Sequence, residues 1–256
     1  MAFIINSLFA HGVGGRNDLP ISEWTAAWGG AIALLLSFAA IGLLWHQPKF
    51  PKLLEGNLTP KLVKTGHIIT ATVQAVALVL FFVVLTACFI GPNNTVGNIA
   101  PTTVFIIFWV GVAISSAIFG PFWKTVSPWE TLGKLLDKSH TVVTRPAPKW
   151  LTSGWAALIP ITIFHWLELA YHDGSSPRVL GWSILAYTVF LLVAAWRWGW
   201  DEARKAEGFG ILFQLIAAIS PIFRDEDNRL KVRLPFVGIS ALNMSGPSIA
   251  IVLAAL

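Results

Sequence analysis

Charge is what this sequence lacks most. Aspartate, glutamate, lysine and arginine make up only 12% of its 256 residues, against roughly 25% in a soluble domain. That is too little to cover a globular surface of this size. Cysteine is almost absent as well: Cys88 stands alone, so no intramolecular disulfide can form. No Walker loop, dinucleotide fingerprint or Ser-His-Asp arrangement is present. The chain carries a net charge of +5 and has a pI near 9.6. Its basic residues form no stripe interleaved with stacking aromatics, which excludes the usual nucleic-acid partner. No internal repeat is evident, and no pair of broken helices stands at matching positions in two halves, the usual pointer to a repeat-built transporter. None of the long apolar runs has a charged residue at its middle, which counts against a proton-relay pump.

Apolar residues are abundant, at 55% of the chain with thirteen tryptophans, and the mean hydropathy is +0.68. They come in blocks separated by short polar stretches, the pattern of a chain solvated mostly by lipid. Five blocks have the roughly 20 residues needed to cross a bilayer. They run over Trp24–Trp45, His67–Gly91, Pro101–Trp123, Leu151–Tyr171 and Val179–Gly199. A sixth helix starts near Pro247 and runs to Leu256, so the chain reads as a fragment of a longer protein. The fold class is therefore all-α, a polytopic integral membrane protein with five complete transmembrane helices and the start of a sixth. Residues 1–23 read as an extracytoplasmic leader, 24–199 as the five-helix membrane domain, 200–246 as a cytoplasmic or interfacial segment, and 247–256 as the start of a further helix.

Orientation follows from loop charge. Lys49, Lys52, Lys61 and Lys64 follow the first block, and Lys124, Lys134, Lys138, Arg145 and Lys149 follow the third. The stretch from Pro92 to Ala100 has no charge. The positive-inside bias places the N-terminus outside and the basic loops in the cytoplasm of a cell-membrane protein. Trp24, Trp166, Tyr171 and Trp182 then form an outer aromatic belt, and Trp45, Trp123, Trp150, Trp196, Trp198 and Trp200 an inner one. Phe209–Phe223 is apolar but short and ends at Pro221. It reads as a helix on, or dipping into, the inner leaflet, with a second inner-surface helix over Pro128–Lys138 and a short strand over Arg229–Leu234.

Chemistry is concentrated in His165-Trp-Leu-Glu-Leu-Ala-Tyr-His-Asp173. On a continuous helix, His165, Glu168 and His172 fall within about 60° of one another. Two imidazoles and a carboxylate are a common ligand set for a divalent metal ion. The alternative is that Glu168 is an interfacial carboxylate and His172 an ordinary loop residue. Partners on the same side are His11, Arg16 and Asp18 in the glycine-rich leader. The apolar residues before His11 hint at a cleaved signal ending at Ala10, although that leader is short and has no basic start.

Three passages carry a family resemblance: Ala10-His-Gly-Val-Gly-Gly-Arg-Asn-Asp-Leu-Pro20, Gly120-Pro-Phe-Trp-Lys-Thr-Val-Ser-Pro128 and Trp166-Leu-Glu-Leu-Ala-Tyr171. Together they resemble the actinobacterial multi-spanning membrane proteins often labelled fenitrothion hydrolase. The resemblance covers essentially the whole chain, in order, and implies further spans beyond Leu256. It departs from the family's Arg-x-x-Asn-Pro at Lys124-Thr-Val-Ser-Pro128, and His165 and His172 match no position of the family pattern. What it implies is a membrane-bound organophosphate hydrolase with Glu168, His11, Arg16 and Asp18 as the site residues. Arg16 would bind a phosphoester oxygen. The alternative function is a non-enzymatic transporter or metal-handling membrane protein.

The loop charges generate a prediction. In a Cys88→Ala background, single cysteines at Asn94 and Ser175 are expected to react with an impermeant thiol reagent on intact cells, and cysteines at Asn57 and Ser139 to stay protected. Labelling at 57 or 139 overturns the orientation.

Overall fold

A computed structural model describes residues 23–44, 67–139, 146–224 and 230–256. The chain divides into two compact units, Met1–Lys49 and Phe50–Leu256. In the first, helix α1 covers Glu23–Leu44, 22 residues of almost unbroken apolar sequence. All that follows concerns the second unit.

Among the described residues, three helices are long and apolar enough to cross a membrane: Ile68–Ile90, Ile99–Phe119 and Pro177–Trp198. The first belongs to α2, His67–Ile90, which has no glycine or proline until Gly91-Pro92 stops it. The second, α3 (Ile99–Phe119), opens at Asn98, whose Oδ1 accepts the Ala100 amide at 2.9 Å. Between Thr103 and Gly111 its backbone widens into a π-helix. The widened turn brings Phe105, Phe108 and Trp109 all against the core. The helix ends at Gly120 in a left-handed conformation, φ 78°.

After Gly120 the chain turns back between the helices. A short helix α4, Trp123–Val126, leads into α5, Pro128–Ser139. Trp123 packs edge-on against Phe108 at 5.2 Å. The Trp129 indole donates to Thr188 Oγ1 at 2.9 Å, half-way along the third long helix. Aromatic side chains that follow the end of α3 thus lie level with its middle. The expected inner-surface helix over Pro128–Lys138 does form, but Trp129 and Glu130 are buried inside the bundle.

The fourth expected span is broken. A helix α6, Lys149–Thr152, stops where Gly154 adopts φ 84°, and the chain continues as α7, Trp155–Leu169. At 1.5 Å per residue α7 is only about 22 Å long, short of the roughly 30 Å hydrocarbon core. Helix α8, Pro177–Trp198, starts with proline in its first turn and ends at Gly199, φ 87°. Ser176 and Arg178 bond to Asn93 Oδ1 at 3.1 and 3.2 Å, tying the start of α8 to the turn that follows α2.

A second return follows Gly199. Helix α9, Trp200–Ala203, and a 3₁₀ turn, Arg204–Ala206, lead to α10, Gly208–Ala217. The expected helix over Phe209–Phe223, on or dipping into the inner leaflet, forms over ten residues, with Phe209, Leu212, Phe213 and Ala217 buried and Gln214 exposed. Its two phenylalanines meet Phe108 edge-on at 5.0 and 5.5 Å. Ser220 Oγ bonds Ile118 O at 2.8 Å, so the chain leaves beside the end of α3. Strands β1, Ile222–Arg224, and β2, Leu230–Val232, pair antiparallel with Phe223 opposite Lys231. Helix α11, Gly246–Ala254, starts at the N-cap Ser245.

Two tryptophans expected in the inner belt lie in the interior instead: Trp123 is 7% exposed and Trp200 2%. They sit on the returning segments, not on the spans. Trp150 and Trp196 remain exposed, as does Trp182 at the opposite end of α8.

The two glycine turns can be tested by thermal melting in detergent. Gly120→Ala is expected to lower stability by about 1–3 kcal/mol, because a Cβ there meets the Ile222 carbonyl and the φ is left-handed. Gly199→Ala is expected to act in the same direction. Gly111→Ala, in helical geometry with its nearest neighbour at 3.4 Å, is expected to be neutral or stabilising. Equal behaviour of all three would contradict the turn geometry.

Candidate functional site

The returning segments enclose a cavity of about 1110 Å³ that opens at the basic end of the bundle. Its walls come from α4, α5, the turn at Gly154, α10 and the segment over 233–248. Two buried carboxylates reach it, Glu130 and Glu207. The other hollow, of about 630 Å³, is an open apolar groove between Trp150 and Trp182 along α8.

Glu130 stands in the first turn of α5. Its Oε2 accepts the Trp200 indole N–H at 2.8 Å, and its Oε1 pairs with Lys134 Nζ at 2.8 Å. Trp200 is held by its own backbone amide, which donates to both oxygens of Asp137 at 2.9 and 3.0 Å. Gly133 allows the close packing, since a Cβ there would overlap the Trp200 ring.

Glu207 immediately precedes α10. Its Oε1 accepts the Tyr187 hydroxyl at 3.3 Å, and the Trp123 indole adjoins it on the cavity side. It lies outside the three long helices, yet burial pushes its carboxyl up to about 7. The Gly210 amide, the Trp123 indole and the Tyr187 hydroxyl oppose that rise, and the nearby Glu130 charge adds to it. A Cβ at Gly210 would overlap the Glu207 carboxylate.

Most basic groups around the cavity are already engaged. Arg204 pairs with Asp201 at 3.5 Å and Lys205 with Glu202 at 2.8 Å. Arg233 bonds the carbonyls of Ser220 and Ala218 at 3.3 and 3.2 Å and lies 4.8 Å over the Phe223 ring. Burial lowers the pKa of its guanidinium from the usual range. Lys124 is exposed at the mouth.

The residues singled out in the sequence are placed differently. The helix ends at Leu169, and Ala170 and Tyr171 both donate to the Trp166 carbonyl. His172 therefore leaves the face on which a continuous helix would have placed it. It is exposed and pairs with Asp173 at 3.0 Å. His165 turns Nδ1 to the Ile161 carbonyl at 2.8 Å and packs edge-on against Trp109 at 5.0 Å. Glu168 is exposed. His165, Glu168 and His172 are not brought together, and no group of three or more histidine, cysteine, aspartate or glutamate side chains able to hold a metal ion is present among the described residues. His11, Arg16 and Asp18 lie outside the described residues.

Glu130, Glu207 and Tyr187 were passed over in the sequence because the two glutamates lie in polar stretches outside the apolar runs. The signal that singles out the glutamates is the tryptophan seven positions before each, Trp123 at the end of the third apolar run and Trp200 just after the fifth. The chain matches no protein-family model, no curated protein and no solved structure. Mostly helical, with three membrane-length apolar helices, it is a membrane protein by composition and fold.

The raised pKa gives a signed expectation. Between about 4.5, where the carboxyl titrates unfolded, and about 7, where it titrates folded, the folded protein holds the extra proton. Stability therefore falls as pH rises through that window and is level above it, the total being on the order of 3 kcal/mol. Glu207→Gln removes this dependence. The melting temperature of the variant relative to wild type, measured in detergent, is expected to climb from about pH 5 to about pH 8. A constant difference across that range would show that Glu207 is not the titrating group.

Proposed function

We propose that this protein is a multi-pass plasma-membrane protein that binds a small hydrogen-bonding solute in the cavity at the basic end of its helices, as a solute-handling protein of the transporter class. The observation that carries this reading is the cavity itself, with a carboxyl near neutrality and the buried Trp123 N–H, which has no hydrogen-bond acceptor among the described residues, at its floor. Returning, non-spanning backbone that lines a polar cavity is how transporters build a site within membrane depth. In this reading the N-terminus lies outside, the cavity opens to the cytoplasm, and the chain crosses five times. Residues 23–44 make the first crossing and the broken segment 149–169 makes the fourth.

A second reading, phosphotriester hydrolysis, has one specific observation in its favour. The stretch Gly120–Pro128, which resembles the fenitrothion hydrolase-labelled proteins, supplies Pro121, Trp123, Lys124 and Ser127 to the same cavity. There Glu207 is the group suited to take a proton from water, and Lys124 lies at the mouth to meet a phosphoryl oxygen.

Cysteine reactivity tests the cavity, because charged thiosulfonates react only with thiols that water reaches. In the Cys88→Ala background, cysteines at Ser153 and Gln214 are expected to be modified, and one at Ile163, on the exposed apolar face of α7, to be inert. Protection at both 153 and 214 would remove the solute-site reading. Turnover of a neutral phosphotriester separates the second reading: loss in Glu207→Gln with retention in Glu168→Gln supports catalysis in the cavity, and the reverse pattern returns it to the Glu168 end. Absence of turnover in wild type removes it.

A further inference from the structure

The two returning segments share one pattern. Trp123, Glu130 and Gly133 form Trp-x6-Glu-x2-Gly, and Trp200, Glu207 and Gly210 form the same pattern 77 residues later. Each copy follows a membrane-length helix that ends in a left-handed glycine, Gly120 or Gly199. Each is preceded by a helical segment, α2 in one half and α6–α7 in the other.

The contacts are reciprocal. The Trp200 indole donates to Glu130 of the first copy, and the Trp123 indole of the first copy adjoins Glu207 of the second. Gly133 makes room for the Trp200 ring, and the Cβ position of Gly210 is 3.5 Å from Cδ1 of Trp123. Chance could place one tryptophan near one glutamate. Two copies of a three-residue spacing, in which the Trp200 indole donates to Glu130 and the Trp123 indole stands beside Glu207, are the pattern of a duplicated unit.

The halves differ at the residue after the glycine. In the first copy it is Lys134, whose ammonium neutralises Glu130 at 2.8 Å. In the second copy it is Ile211, which lines the cavity and brings no charge. Glu207 thus has the indole and hydroxyl of the clasp without the ammonium that its counterpart holds. Of the neighbouring rings, those of Trp123 and Phe213 line the cavity, and an aromatic face attracts a cation.

We infer that the chain is an internal duplication and that the Glu207 half of the clasp is a binding site for a small organic ammonium ion, which occupies the place that Lys134 fills in the other half. The inference rests on the solute-cavity reading and names the solute's class. The groups facing the site are Glu130 and Lys134 from α5, Tyr187 from α8, Lys124 from α4, Arg204 and Lys205 ahead of α10, Arg224 from β1, and Arg233, which bonds the Ser220 and Ala218 carbonyls. Arg204, Lys205 and Lys134 carry carboxylate partners, which leaves Glu207 able to attract a cation.

Radiolabelled methylammonium is the probe, measured by equilibrium dialysis against the full chain in detergent at about pH 8, where the carboxylate predominates. Saturable binding near one equivalent per chain is expected. Ile211→Lys supplies the ammonium from within and Glu207→Gln removes the charge, so each is expected to weaken binding at least about tenfold. Asp173→Asn, which alters an exposed group away from the cavity, is expected to leave binding within about twofold. Glu207→Gln is isosteric and keeps the test valid where the lysine variant fails to fold. Binding is also expected to weaken as pH falls below about 7, as the proton takes the site. Retention in both Glu207→Gln and Ile211→Lys, or equal loss in Asp173→Asn, overturns the inference. No binding to wild type, with cysteines at Ser153 and Gln214 still reactive, removes the ammonium site and leaves the cavity reading standing. If those cysteines are inert, the cavity reading fails as well.

Discussion

A carboxylate placed among apolar helices must be given hydrogen-bond donors or a proton, and most of this fold is arranged around two such groups. The cost of leaving a buried carboxylate uncompensated is several kcal/mol. Glu130 is compensated fully, by the Trp200 indole and Lys134. Glu207 is compensated partly, by the Tyr187 hydroxyl, and keeps its proton to about neutrality. Trp123 and Trp200 reach these positions only because the chain turns back at Gly120 and Gly199.

The same turns account for the packing. Helices in lipid gain little from hydrophobic burial against one another, so close contact and hydrogen bonding must hold them. The returning segments supply both. Phe108, in the widened part of α3, meets Trp123, Trp129, Phe209 and Phe213 at ring separations of 5.0–6.3 Å. Each such pair adds about 0.5–1.5 kcal/mol beyond area burial. The Trp129–Thr188 hydrogen bond ties the first returning segment to the middle of α8. Ser220 ties the exit of the second to the last turn of α3.

The functional consequence is an asymmetry between the ends of the molecule. At the end with few charges, where sequence reasoning placed a metal face, the helix stops at Leu169 and the ionisable side chains of Glu168, His172 and Asp173 are exposed. At the basic end, buried carboxylates, an indole N–H and engaged cations line a cavity large enough for a small solute. Selectivity would rest on the difference between Lys134 and Ile211, a single charge in otherwise matching surroundings.

The sequence alone determined the solvent. Scarce charge and long apolar runs require lipid, and the helices over His67–Ile90 and Pro177–Trp198 follow from hydropathy and the glycine that ends each one. The run expected over Pro101–Trp123 instead forms Ile99–Phe119, because the chain turns at Gly120. The tight ends at Gly91 and Gly199 and the start of α11 near Pro247 were likewise legible, because they are local. The tertiary structure decided what lies between the spans. Hydropathy cannot distinguish a tryptophan at the headgroups from one folded back into the bundle, so Trp123 and Trp200 read as belt residues, and it does not reveal that Phe209, Leu212 and Phe213 are buried. The break at Gly154 and the helix end at Leu169 depend on backbone turns that apolar content conceals, and the second removed His172 from its expected face. Glu130 and Glu207 stand far apart in the chain, and only the folding back of both segments brings them to one cavity.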